Sequence, residues 1–523
     1  MRGCHWMVAS ALAVMATGCT NDGTTMPDPV SPAPVTVYTF GAPQIAGPIQ
    51  NFGPKYQSQT GVQINLKTQP DFSKLFPEIQ TQATRGGVDA SGASIDVILG
   101  LEIWMADMVN LGYNQALDSY INRDMADAQL GWSDIIPGIR LKNNYGGRYY
   151  TLMTDNDNHL LFYRKDILSD PAWQAKYSAA NGGMALPNPP KTMDELLSVA
   201  KFFNGQNWNG DPTRHYGFVT NLTKGNQLYW YIEPWAAPYA VIPSSPPGTN
   251  LPPPAQGMEL FDLNMTPLVN TPGFVTGVAK WLEMIACCTS GPGTTGRADV
   301  ITQFTHGQAL MAIDWGDIGP LSNAADSVVK DKVGFAQVPG SSQYYDWQAK
   351  QWVNMPAGMA NVAPVHPANG WSFFLTSTSK NKEEAWKFMK YMISPEITGT
   401  LGADPMYQGA FQPWRQSQYT NTAVWTKSGW SADTAQAYTK AVLDATNHPN
   451  AVIDVRLPGA DQYGAALENH LDNLVQAISG TVAPAMGLIQ AEMDACAKEW
   501  NTITTQKGLA PQIKAYKAHL GLP

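Results

Sequence analysis

The chain has 523 residues, more than one hydrophobic core normally organises, so at least two lobes are expected. A net charge of −9 argues against nucleic acid as a partner. Charged residues are only 14% of the chain and aromatic residues 10%. Pockets rich in Trp, Tyr and Asn suit a small neutral polyhydroxylated ligand better than a charged one.

Residues 1–18 carry Arg2, an apolar run over Trp6–Ala16, and small residues before Cys19. The run is too short to span a bilayer and reads as the core of an export signal. Ala16-Thr17-Gly18-Cys19 resembles the lipobox of bacterial lipoproteins, which implies lipidation at Cys19 and a membrane-anchored, periplasmic or extracytoplasmic protein. Residues 19–34 are Pro-rich with no apolar periodicity and read as a tether. Cys4 leaves with the signal, and Cys287, Cys288 and Cys496 remain. The adjacent Cys287 and Cys288 are not expected to pair with each other. A bridge from either to Cys496 is permitted outside the cytoplasm. No Cys or His spacing suits a structural zinc, so no metal is expected, and no cofactor.

Beyond the tether, Val35–Phe40 (VTVYTF) reads as a first strand, Ile49–Gln59 as a helix, Val62–Leu66 as a strand and Phe72–Thr84 as a helix. Ile95–Leu99 is an apolar strand ending at Gly100. This alternation predicts an α/β body with a largely parallel sheet. Ligand would then lie beyond the carboxyl ends of the strands, near Phe40–Gln44 and Gly100–Trp104. Gly147–Arg164 reads as strand, polar patch, strand. Thr192–Phe203 reads as a helix with Thr192 and Glu195 as a capping box. Pro238–Gln256 reads as a loop and Thr276–Cys288 as a helix. Val300–His306 leads into a strand at Leu310–Ile313. Gly370–Leu375 reads as a strand, and Lys382–Ile393, Tyr463–Ser479 and Ala485–Thr502 as helices.

Two motifs fail on context. Gly291–Gly296 matches G-x-G-x-x-G, but a helix precedes it and Pro292 lies inside, so it reads as a loop and not a dinucleotide site. Asp155–Asp166 faintly resembles a calcium loop, but Leu160 stands where Gly is required and a strand follows. No catalytic signature occurs, so an enzyme is not expected.

Several blocks, in order, resemble family 1 extracellular solute-binding proteins of ABC importers, the group that includes maltose-binding proteins. They are Ile95–Ile121, Arg148–Leu168 (RYYTLMTDNDNHLLFYRKDIL), Pro190–Phe203 (PKTMDELLSVAKFF), Phe304–Asp317 (FTHGQALMAIDWGD), Asn369–Pro395 (NGWSFFLTSTSKNKEEAWKFMKYMISP) and Ala465–Ile503. The resemblance implies a periplasmic-binding-protein-like α/β fold of two discontinuous lobes joined by crossovers near Asp157, His366 and Val424. Lobe 1 would be 35–157 plus 367–424, and lobe 2 158–366 plus 425–523. It further implies a monomer that closes on a sugar or polyol and delivers it to the ABC permease subunits. Alternatives are an extracellular carbohydrate-active enzyme such as a glycoside hydrolase, or a sugar-sensing surface lipoprotein.

The resemblance also suggests ligand contacts. Asp157, with Asp155 as its alternative, aligns with an acidic sugar-hydroxyl contact at the crossover. Trp371 enters the cleft where a sugar face is often stacked. Asp314, Trp315 and Asp317 follow a strand that carries a cleft aromatic in the family. Trp230, Glu233 and Trp235 lie where lobe 2 contacts occur. Phe40 and Gln44 follow the first strand, Trp104 lies near a family aromatic, and Tyr407 and Arg415 lie in a late lobe 1 loop, with Arg415 alternatively a surface charge.

Overall fold

The computed structural model describes residues 33–210, 215–225, 227–243, 259–289, 291, 295–407 and 411–522. The expected signal, the expected lipidation site Cys19, all but the end of the tether, and residues 292–294 of the Gly291–Gly296 loop therefore lie outside the described residues.

Strand β1 (Val35–Phe40) is built from β-branched and aromatic residues and is buried almost throughout. It pairs in parallel with β2 (Ile64–Gln69) and β3 (Val97–Leu101). The helix Pro43–Thr60 connects β1 to β2, and Phe72–Thr84 follows β2. Pro43 opens the first helix, where its missing N–H costs nothing. The Asp71 side chain caps the second by accepting from Ser73 N. Strands β4 (Thr151–Asp155) and β8 (Trp371–Leu375) complete a five-stranded sheet of order β2-β1-β3-β8-β4. Both pairings of β8, with β3 and with β4, are antiparallel.

The chain then leaves this sheet through Asn156-Asp157-Asn158 and enters a second one. Here β5 (His159–Arg164) lies between β6 (Met311–Trp315) and β7 (Val333–Gln337), antiparallel to both. The expectation of a largely parallel sheet is therefore corrected. The first sheet is mixed because β8, returning from the other sheet, runs against both β3 and β4, and the second sheet is antiparallel.

Each sheet has its own core. Around the first, Val37, Leu99, Phe373, Trp386 and Trp414 pack together. Beside the second, one cluster holds Phe218, Trp235, Trp281 and Trp500, and another holds Phe162, Phe335, Trp425 and Tyr438. The Thr192–Glu195 capping box is present on the helix Met193–Phe203. The helix Leu228–Ala240 (LYWYIEPWAAPYA) is buried on nearly every side, as its apolar composition requires, and it continues through Pro234 and Pro238. It thus extends into the expected Pro238–Gln256 loop, of which residues 244–256 lie outside the described residues.

One cysteine expectation is overturned. Cys287 and Cys288 form a disulfide with each other at the end of the helix Pro272–Cys288, and Cys496 is a buried free thiol. Cys496 lies inside the second-sheet core, between helices, and no bridge reaches it.

Candidate functional site

A cavity of about 530 Å³ opens between the two sheets. Its walls come from chain ends that the topology gathers. Phe40 ends β1, Leu101 ends β3, Asp155 ends β4, Trp315 ends β6 and Trp371 begins β8. Asp157 lies in the crossover itself. Cavities form at this place because parallel strands end together and leave side chains to converge beyond the sheet edge.

The aromatic walls are interlocked edge to face. Phe72 meets Phe40 at 5.3 Å and 73°, and Trp371 at 6.4 Å and 60°. On the other side Trp230 meets Trp315 at 6.1 Å and 88°. The Trp230 Nε1 donates to Asp454 Oδ2 at 2.7 Å, which fixes the indole plane. Rings held this way present flat faces at no further ordering cost.

Half of the polar side chains lining the cavity are carboxylates: Asp155, Asp157 and Asp317 stand beside Gln44, Gln227 and Arg297. Asp155 Oδ1 accepts from the backbone N–H of Gln412 at 2.8 Å, and Asp157 Oδ1 accepts from Gln412 Nε2 at 3.2 Å. The Arg297 guanidinium is ion-paired with Asp317, lies 3.6 Å from Asp314, and sits over the Trp315 ring at 4.8 Å. Burial, then the neighbouring Asp157, raises the Asp155 carboxyl well above its ordinary range. Burial and Asp317 push Asp157 up to about 8. Burial opposes the Arg297 charge, but Asp317 and Asp314 outweigh it and hold its pKa above the usual value. Buried Lys142 is pushed down to about 7, and donates to Asn156 Oδ1 at 2.9 Å.

Of the residues singled out from sequence, Phe40, Gln44, Asp155, Asp157, Trp230, Trp315, Asp317 and Trp371 line the cavity. The others do not. Asp314 is fully buried behind the wall, accepting from Tyr231 Oη at 2.6 Å and from the Trp315 backbone N–H at 2.7 Å. Trp104 stacks on Phe76 at 4.8 Å, one layer behind Phe72, and donates to Asp461. Glu233 and Trp235 lie further along their helix, Trp235 packed on Phe218 in the second core. Tyr407 packs on Phe52. Arg415 is not a surface charge: it is fully buried and donates to the carbonyls of Leu130, Gly131 and Ile393. It ties three segments of the first lobe together.

Sequence reasoning missed Arg297, Gln412 and Phe72. Arg297 opens the helix Arg297–Thr305, whose first turn was not foreseen. Its signal is only that basic residues are scarce, 33 in the whole chain, and this one precedes the Phe304–Asp317 block.

Two α/β lobes, a chain that crosses between them and an aromatic, acidic cavity at the crossover define a two-lobed ligand-binding protein. The bacterial extracellular solute-binding protein family matches residues 42–399, and the chain belongs to that family, whose members work outside the cytoplasm. A binding protein of Brucella abortus is 23% identical over 344 residues, covering 64% of this chain and 66% of the relative. The maltotriose-binding protein of Pyrococcus abyssi is 22% identical over 353 residues, covering 65% of this chain and 60% of the relative. The matches thus span less than two thirds of the length of either relative.

Solved structures agree over more of the chain. An ABC transporter solute-binding protein from Agrobacterium radiobacter, in complex with ribitol, superposes with a TM-score of 0.66 at 20% identity, over 91% of this chain and 100% of that one. A maltose-bound T. maritima protein gives 0.65 at 18% identity, over 90% and 100%. A solute-binding protein from Agrobacterium vitis, with bound D-mannitol, gives 0.63 at 15% identity, over 91% and 99%. These likenesses show the fold.

Proposed function

We propose that this protein is the capture subunit of an ABC importer, anchored through lipid on Cys19. It takes a carbohydrate or polyol into the interlobe cavity, closes on it, and hands it to a membrane permease without chemical change. The lobes would be 35–157 plus 367–424 and 158–366 plus 425–523, working as a monomer about hinges at the crossovers. The observation that carries this reading is the cavity itself: Trp230, Trp315 and Trp371 offer flat faces for the C–H side of a sugar ring, and Asp155 and Asp157 offer acceptors for its hydroxyls. The ribitol, maltose and D-mannitol of the similar structures support a polyhydroxylated ligand.

The test is a thermal-shift screen of the protein against mono-, di- and oligosaccharides and polyols. A ligand at 100 times its dissociation constant adds about 2.7 kcal/mol to the folded state. A shift with one sugar, recovered intact, with loss of that shift in Trp371→Ala, is expected. A shift with the sugar consumed would turn the reading to an enzyme, and no shift across the panel would sink the carbohydrate assignment.

A further inference from the structure

The cavity holds more carboxylates than cations to pair with them. Its one guanidinium, Arg297, is already engaged by Asp317 and Asp314. Asp155 and Asp157 have no Lys or Arg within 4.0 Å among the described residues, and their side-chain partners are the neutral backbone and amide groups of Gln412. The nearby ammonium of Lys142 is turned to Asn156 Oδ1, the Asp157 carbonyl and His366, not to either carboxylate. Both aspartates are more than nine-tenths buried, and both line the cavity.

Two carboxylates in so dry a place cannot both stay ionised without compensation. Sugar hydroxyls donate hydrogen bonds to them but bring no charge. Either a proton or a cation must balance them. The aromatic lining accommodates a cation, as Arg297 over the Trp315 ring at 4.8 Å already shows.

We infer that the ligand is an amine-bearing carbohydrate or amino polyol, its ammonium seated against Asp155 and Asp157 and its ring against the tryptophans. This rests on the carbohydrate reading above and replaces the neutral ligand expected from composition with a cationic one. The hydroxyl-bearing body supplies stacking and hydrogen bonds; the ammonium supplies the charge the site lacks.

The experiment is calorimetric titration of the full chain with matched sets: D-glucosamine, N-acetyl-D-glucosamine and D-glucose; chitosan disaccharide, diacetylchitobiose and cellobiose; glucamine and sorbitol. At least one amine is expected to bind tenfold or more tighter than its neutral counterparts. Asp157→Asn and Asp155→Asn, each confirmed folded by its melting curve, are expected to weaken the amine at least tenfold more than its neutral counterparts and so to erase that preference. Binding of neutral members with equal or greater affinity would overturn the inference and leave the carbohydrate reading intact. Amine binding unchanged in both variants would also overturn it. No binding by any member would remove both readings for these sugars.

Discussion

Gly370 lies so close to Asp155 that a Cβ built on it would sit 2.1 Å from the Asp155 carbonyl oxygen. Its φ of +99° is also one that side-chain-bearing residues rarely adopt. This contact is where the returning crossover enters β8, directly before Trp371. Gly370→Ala is expected to lower stability by about 3 kcal/mol or more, from strain and backbone displacement combined. Gly487→Ala, in open space in the first turn of the helix Met486–Lys507, is the control and should leave stability unchanged or raise it by up to about 1 kcal/mol. Melting curves of the two variants check this, and a Gly370→Ala midpoint equal to that of the parent would refute it.

Much of the frame is readable in the sequence because local chemistry dictates it. VTVYTF fits a buried strand, Thr192 with Glu195 fits a cap, and the acids at Asp155 and Asp157 interrupt two apolar strands because they sit at a cavity between sheets. Tertiary effects are less visible. Leu228–Ala240 is helical through two prolines because burial among aromatics overrides local propensity. Arg297 reaches the cavity only because its helix packs beside β6, and Arg415 looks like a surface charge until three distant carbonyls converge on it. The reversed direction of β8, which runs against both β3 and β4, follows from the path between sheets, which no local pattern encodes.

The Cys287–Cys288 disulfide yields a direct mass test. Trypsin cleaves after Lys280 and Arg297, so both cysteines fall in one peptide. Without reductant that peptide is expected to be lighter by two hydrogens and to refuse alkylation, while Cys496 alkylates once the protein is unfolded. In the folded state Cys496 should resist, because burial raises its thiol pKa above the usual range and closes access. A peptide cross-linked to Cys496 would contradict the structure.

Arg297 holds together the acidic wall behind Trp315. Removing it strands Asp317 and the fully buried Asp314, and also the cation–π contact over the indole. Because the Arg297 side chain is one-fifth exposed, Arg297→Met is expected to cost about 2–3 kcal/mol, the lower end for breaking a buried pair. Asp317→Asn placed on that background should recover part of the loss, since it removes one stranded charge. A double-mutant cycle by denaturant unfolding measures the coupling. Independent, additive effects of the two substitutions would argue that the pair contributes nothing.

The pH dependence of stability follows from carboxyls whose pKa values burial raises. None of the four carboxylate oxygens of Glu233 and Glu259 has a hydrogen-bond partner. Burial, then Asp454, raises both pKa values well above the ordinary range. Burial likewise pushes Asp314 and Asp461 up to about 7 and Asp157 to about 8. Between pH 6.5 and 8 the folded chain therefore keeps protons that the unfolded chain has already released. Stability must fall as pH rises through that window, by up to about 1.4 kcal/mol per pH unit for each group still protonated. Lys142, pushed to about 7 by burial, acts oppositely above that pH, but it is one group against several. The histidines His159, His366, His448 and His519, which burial keeps neutral, oppose the trend by about 0.4 kcal/mol each at pH 6.5, where unfolded imidazole is half protonated, and cease to matter above about pH 7.5. The melting temperature of the ligand-free protein is thus expected to drop from pH 6.5 to pH 8. Glu233→Gln, whose amide cannot ionise, should flatten the slope and melt above the parent at pH 8. A parent profile that is level or rises across the window would show that these carboxyls are solvated or paired in the folded state, and an unchanged slope in Glu233→Gln would clear that residue alone.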